Sequence, residues 1–161
     1  MNIKIGIIGQ GFVGTAVREG LMKHYDIETY DKYDDTNSSC SSLQQLVSLS
    51  NVIFVCLPTP MLKSGECDTS IVEETIANID SLGKDNIIII KSTVPPGTTE
   101  RLDNMCKTSH VVFNPEFLTE ANFIDDFKNQ NRIIIGGPRP ASTIVKNLYR
   151  KVFQEVPIIK T

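Results

Sequence analysis

Three groups of residues in this chain have types and spacings that could do chemistry. The first is a pair of carboxylates, Glu116 and Glu120, in the run FNPEFLTEANF from Phe113 to Phe123. Four residues is about one helical turn, which would set both side chains on one face. A carboxylate beside a bound water can hold and exchange a proton; the plain alternative is two solvated surface acids. The second is the hydroxyl-rich run KSTVPPGTT, Lys91 to Thr99, with Ser92 and Thr93 ahead of two prolines. The third is Gly9-x-Gly11-x-x-Gly14 in GIIGQGFVGTAV. Glycine here permits a tight turn at Gly9, close approach of backbone to a pyrophosphate at Gly11, and close packing of helix on strand at Gly14. A fourth feature completes the third. Asp31 ends the apolar run Ile27–Tyr30, at the separation expected of an acid that accepts hydrogen bonds from a ribose diol. A carboxylate there repels a 2′-phosphate and favours NAD over NADP, although the adjacent Lys32 could partly tolerate the phosphate. The plain alternative for Asp31 is a strand-end turn residue.

These groups need elements that hold them together, and the hydropathy pattern supplies candidates. Strands are expected at Ile3–Ile8, Asp26–Tyr30, Asn51–Leu57, Asn86–Ile90, Val111–Phe113, Arg132–Ile135 and Pro157–Lys160. Helices are expected at Phe12–Lys23, Ser42–Leu49, Ser70–Leu82, Thr98–Cys106 and Ala141–Val152. The fully apolar runs fit strands covered on both faces. Alternation of this kind implies βαβ units and an α/β fold of Rossmann type: a doubly wound, mostly parallel sheet with helices on both faces, in a single domain over residues 1–161. Ligands of such sheets sit at the carboxyl ends of the strands. The glycine turn, the segment Cys56-Leu57-Pro58-Thr59-Pro60, the Lys91–Thr99 run and the two glutamates all fall at that edge. The polar stretch Asp34–Ser42 is expected to be the least ordered part.

Composition excludes several classes. With 161 residues, 40% hydrophobic, 22% charged and a net charge of -3, the chain has the balance of a globular domain. It has no basic run suited to nucleic acid or an anionic membrane. The apolar N-terminal run is too short and glycine-broken for a signal peptide or a membrane span, so a cytoplasmic location is expected. Cys40, Cys56, Cys67 and Cys106 show no Cys-x-x-Cys pairing and no zinc-finger spacing to a histidine, so no metal site is expected and reduced thiols are. Cys56 reads as a core residue, and His24 and His110 as partly exposed histidines.

Taken together, G-x-G-F-V-G, the acid ending the second strand, L-P-T-P, S-T-V-P-P-G-T-T and N-P-E-F-L-x-E resemble the N-terminal NAD-binding domain of the UDP-glucose 6-dehydrogenase family, which includes GDP-mannose and UDP-N-acetylmannosamine dehydrogenases. The resemblance spans essentially the whole chain, and the N-P-E-F-L form is closest to the UDP-glucose branch. Such enzymes oxidise a sugar C6 alcohol to a carboxylate in two steps, reducing two NAD⁺. By resemblance, Gly9, Gly11, Phe12, Val13 and Gly14 would line the cofactor diphosphate, with Asp31 and Lys32 toward the adenosine. Pro58, Thr59, Ser92, Thr93 and Glu120 would line the remainder, Glu120 toward the nicotinamide. Thr93 and Glu116 would arrange a water near C6, with Glu120 beside them in the catalytic set. Glu116, Phe117, Leu118 and Thr119 would run along the substrate sugar. Family members usually carry Arg or Lys where this chain has Thr119.

The family's central helix and C-terminal UDP-binding domain, with its catalytic lysine and asparagine and its G-x-C-x-P-K-D cysteine, have no counterpart in this chain. On this resemblance the chain would be the cofactor-binding half of a nucleotide-sugar dehydrogenase, most simply one for UDP-glucose. It would not be competent alone, and a separate chain could supply the other half. The alternative is a stand-alone NAD-binding module without dehydrogenase activity. A β-hydroxyacid dehydrogenase is a third reading, but that group lacks the S-T-V-P and P-E-F-L pair.

Overall fold

In the computed structural model, which describes residues 2–161, strands and helices alternate along the chain. They run β1 (Lys4–Ile8), α1 (Phe12–Leu21), β2 (Asp26–Tyr30), a 3-10 turn (Asp35–Asn37), α2 (Leu43–Leu49), β3 (Val52–Val55), α3 (Ser70–Ser81), β4 (Ile87–Ile90), α4 (Thr98–Met105), β5 (His110–Phe113), α5 (Phe123–Lys128), β6 (Ile133–Ile135), α6 (Ala141–Val152) and β7 (Ile158–Lys160). The first five strands form one parallel sheet in the order β2-β1-β3-β4-β5.

Strand alternation decides which face each side chain covers. Val52 and Phe54 of β3 join Ile5, Ile7, Ile89 and Val112 beneath residues of α1, α5 and α6, including Val17, Phe127, Val145 and Leu148. The intervening Ile53 and Val55 join Ile88 and Ile90 beneath α2, α3 and α4, with Leu46, Ile76, Ile79 and Leu102. Both faces are therefore covered, which is why β3 and β4 carry unbroken apolar runs. Each fully buried Ile, Leu or Phe contributes about 1.5–3 kcal/mol of transfer free energy.

Three expectations need correction. β6 and β7 do not extend the main sheet. They form their own parallel pair, and an antiparallel bridge between Phe113 and Gly136 joins that pair to β5. The Phe123–Lys128 helix was not expected, being a single short turn-and-a-half whose only fully buried residue is Phe127. The Asp34–Ser42 stretch is also folded: Asp34 caps the 3-10 turn, and hydroxyls of Ser38 and Ser39 accept from the Asp31 and Thr29 N–H groups at 2.8 and 2.9 Å.

The Pro95-Pro96-Gly97 corner is a turn closed by the Thr98 N–H on the Pro95 carbonyl at 3.2 Å. Gly97 sits at φ 87°, ψ -14°, the position that requires a positive φ. Gly97 is thus the residue that precedes the first turn of α4.

Candidate cofactor and active site

The chain order β1, β2 and then β3 on the other flank of β1 creates a switch point, and the crevice lies outside the carboxyl ends of β1 and β3. The glycine turn opens directly into it. Gly9 has φ 91°, and its N–H donates to the Tyr30 carbonyl at 2.9 Å. A Cβ on Gly14 would lie 1.8 Å from the Gly9 carbonyl oxygen, so helix α1 packs on the turn at backbone contact. A Cβ on Gly11, by contrast, meets nothing within 4 Å: the space beside this glycine is free for a ligand. Gly11 is also the N-cap of α1 and offers no capping side chain. The first N–H groups of the helix, at Phe12, Val13 and Gly14, therefore lack intrahelical acceptors and carry the partial positive end of the helix. Open space, free donors and a positive helix end suit a diphosphate.

Asp31 stands at the end of β2, beside this turn. Its Oδ2 accepts the Gln10 N–H at 2.7 Å and its Oδ1 accepts the Tyr33 N–H at 2.9 Å. Each oxygen keeps a further lone pair, so the acid can both tie the glycine turn to β2 and accept a ribose hydroxyl. Lys32 is exposed, with its ammonium 5.7 Å from the centre of the Tyr33 ring.

The loops after β3 and β4 are fastened to each other. The Ser92 hydroxyl accepts from the Leu57 N–H at 3.0 Å and donates to the Leu57 carbonyl at 2.6 Å. Ser92 is buried, and its hydroxyl acts as a lock between loops. The Thr59 hydroxyl donates to the Thr93 carbonyl at 2.7 Å, next to the exposed Pro58. Thr93 is exposed, and its hydroxyl makes no hydrogen bond among the described residues.

The glutamate segment departs from the helical-turn expectation. Residues 114–119 form no helix, so Glu116 and Glu120 do not share a face by helical spacing. Pro115 disfavours the helical conformation at Asn114, and the segment is irregular, with bends at 120–122, until α5. Leu118 packs against the core, while the Thr119 N–H donates to Asp126 Oδ2 at 2.8 Å. The exposed Phe117 ring lies 4.3 Å under the Arg132 guanidinium. Phe12 and Phe123 meet edge-on at 5.2 Å, which brings α5 against the start of α1.

The two acids consequently sit in unlike environments. Glu120 is exposed. Glu116 turns inward: its side chain is 15% exposed, and its Oε2 lies 2.9 Å from the Lys91 ammonium. That oxygen is buried and receives no well-aligned hydrogen bond, so the contact is one of charge with charge. Its Oε1 accepts the Phe117 N–H at 2.9 Å.

Lys91, only 3% exposed, is the residue that motif spacing did not single out. Its ammonium donates to Asn114 Oδ1 at 2.9 Å, and the buried Tyr149 hydroxyl donates to the same oxygen. The Asn114 amide donates to the Ile134 carbonyl at 2.7 Å. The signal for it was a charge directly after four isoleucines on a central strand, since lysine is almost never fully buried without a partner. Burial pushes the neighbouring Cys56 thiol up to about 12 and the Tyr149 hydroxyl well above its ordinary value.

A cavity of about 740 Å³ lies on the other side of the Val94–Gly97 corner, lined among others by Glu100, Asp103, Phe113 and Gly137. It lacks the glycine turn and Asp31, and its two carboxylates oppose a diphosphate. The crevice over β1 and β3 has the donors for the cofactor diphosphate, and the cavity beside α4 does not.

This geometry agrees with comparison to known proteins. Residues 28–155 match the UDP-glucose/GDP-mannose dehydrogenase family, NAD binding domain. The chain belongs to that family, and NAD is the cofactor of this domain. It is 39% identical over 103 residues to the UDP-glucose 6-dehydrogenase of Rickettsia bellii, covering 60% of this chain and 24% of that protein. It is 26% identical to UDP-glucose 6-dehydrogenase TuaD of Bacillus subtilis, covering 98% of this chain and 42% of the relative. The fold superposes on a UDP-glucose dehydrogenase from Pyrobaculum islandicum with a TM-score of 0.86 at 23% identity, over 100% of this chain and 46% of that one. A GDP-mannose dehydrogenase from Pseudomonas aeruginosa gives 0.83 at 21% identity, over 99% and 46%. The chain thus spans less than half the length of these relatives. No helix among the described residues is long and apolar enough to cross a membrane.

Proposed function

We propose that this chain is the cofactor-binding half of a nucleotide-sugar dehydrogenase whose substrate is UDP-glucose, oxidised at C6 from alcohol to carboxylate. The observation that carries this reading is Glu116: an acid held inward against Lys91, on the segment that follows β5 at the carboxyl edge of an NAD-binding sheet. Gly9, Gly11 and the first N–H groups of α1 would hold the NAD diphosphate, Asp31 the adenosine ribose, and Thr59, Thr93 and Glu120 the nicotinamide end. When bound, NAD⁺ supplies the hydride acceptor. Glu116 accepts the proton of a water placed near C6, with the free Thr93 hydroxyl as its neighbour in holding that water. The backbone of Phe117, Leu118 and Thr119 follows the sugar.

The second oxidation in this chemistry runs through a thiolate nucleophile, and three of the chain's four cysteines are poorly suited to supply one. Burial raises Cys40, and holds Cys56 at about 12 and Cys106 at about 11. Thiols so raised are protonated at neutral pH and are poor nucleophiles. An activated cysteine from outside these residues would complete the site.

NADH formation from UDP-glucose tests this. The chain alone is expected to bind NAD⁺ without sustained turnover, and to turn over when a complementary half is added. In that completed enzyme Glu116→Gln is expected to keep NAD⁺ affinity and lower kcat at least a hundredfold. Sustained turnover by the isolated chain contradicts the half-site reading, and unchanged kcat in Glu116→Gln returns that acid to a structural role. NAD⁺ binding with no rescue by any second half supports a stand-alone binding module.

A further inference from the structure

We propose that Lys91 is a positioning residue that holds Glu116 as a carboxylate anion, so that Glu116 enters the reaction as a proton acceptor and not as an acid. This deepens the function proposed above and rests on it for the role of Glu116, but the pairing itself can be tested in this chain alone.

The ammonium is fixed from several sides. It ends β4, the strand between β3 and β5, and is all but removed from solvent. One of its N–H groups is taken by Asn114 Oδ1, and the Phe127 ring from α5 lies 5.9 Å away. Asn114 cannot turn freely, because its carbonyl oxygen also accepts the Tyr149 hydroxyl and its amide is spent on Ile134. What remains of the Lys91 charge faces Glu116 Oε2 at 2.9 Å. A lysine stem is long and rotatable; here its end is aimed by Asn114, just past β5, and by Phe127 of α5, with Tyr149 of α6 holding Asn114.

The charges around the pair point the same way. The ionisable groups that face it are Cys56 from the end of β3 and Tyr149 from α6, and both are kept neutral by burial. Lys91 is then the cation that answers the Glu116 anion. Without it, a carboxylate with an oxygen buried and lacking an aligned donor would take up a proton instead of staying charged. The other oxygen is tied to the Phe117 N–H, so the carboxylate keeps one orientation with 15% of the side chain open. An isolated surface acid would need none of this apparatus.

The test is a carboxyl ¹³C titration of the chain labelled at glutamate, with the Glu116 resonance identified by its loss in Glu116→Gln. In Lys91→Met the proton concentration that half-protonates Glu116 is expected to fall at least tenfold relative to the native chain. Coincident profiles in the two proteins would overturn the proposal. Should Lys91→Met fail to fold, the native chain still decides: the Lys91 ¹⁵Nζ resonance must move with the Glu116 titration, and an indifferent nitrogen overturns the proposal. NAD⁺ affinity of Lys91→Met, by calorimetry, is expected within threefold of native. A loss beyond tenfold would mean that Lys91 acts through the cofactor groove, contrary to the proposal. If the pairing is seen but Glu116→Gln retains turnover in a completed enzyme, the failure belongs to the reaction assigned to Glu116 and not to Lys91.

Discussion

At Gly11 and Gly14 one residue type meets two different physical demands, and substitution separates them. Gly14→Ala forces a methyl group against the Gly9 carbonyl; overpacking of this kind destabilises by about 1–3 kcal/mol. At roughly 2–4 °C per kcal/mol for a domain of this size, its melting temperature should fall by several degrees. Gly11→Ala has room for its methyl group and should melt within about 2 °C of native, yet lose NAD⁺ affinity at least tenfold because the methyl occupies the phosphate's place. Differential scanning calorimetry and isothermal titration check the pair; equal NAD⁺ affinity in Gly11→Ala would remove the diphosphate from this turn. Asp31→Ala should weaken NAD⁺ binding and also loosen the turn, since Gln10 loses its acceptor. Tighter binding of NADP than of NAD by the native chain would contradict the role given to Asp31. The turn at Gly9, the close packing at Gly14 and the place of Asp31 after β2 could be read directly because their spacing is local. Lys91 could not, because its burial is created by Asn114 and Tyr149, distant in sequence. The Glu116–Glu120 spacing misled because a shared face needs a helical turn, and residues 114–119 form none.

Among the elements, α3 is tied by one of its side chains to the segment between α4 and β5. Asp80, in the last turn of α3, accepts the N–H groups of Lys107, Thr108 and Ser109 at 2.8, 2.9 and 2.8 Å. Burial alone would raise its carboxyl, but these backbone donors and the Thr108 hydroxyl more than reverse that and hold it at about 2. Because the folded value lies below the ordinary 3.8, the stabilisation is fully present above about pH 4 and is lost as pH falls toward 2. The melting temperature of the native chain should therefore drop over that window more steeply than that of Asp80→Ala. At neutral pH Asp80→Ala should lose about 2 kcal/mol, in line with charged hydrogen bonds. Parallel acid profiles for the two proteins would show that Asp80 does not hold this junction. β2 and α6 matched the hydropathy pattern residue for residue. By contrast, α5 is too short and too acidic to show a helical period, and it is held through Phe127, Phe123 and Asp126 by partners elsewhere in the chain. The Asp34–Ser42 stretch looks like a free polar loop in sequence, but its serines supply acceptors that β2 needs at an otherwise open edge.

For the molecule as a whole, the proposed cofactor groove and half-site lie along one edge of a parallel sheet. The two faces of that sheet are covered independently, α1, α5 and α6 on one side and α2, α3 and α4 on the other, so the edge is free to carry function. The central claim is that NAD binds over the switch point between β1 and β3, and not in the cavity beside α4. Amide chemical-shift mapping of the ¹⁵N-labelled chain titrated with NAD⁺ tests it most directly. The largest changes are expected at Gly9 to Gly14, Asp31, Thr59 and Thr93. Changes centred instead on Glu100, Asp103 and Gly137 would place the ligand in the α4 cavity and contradict the account.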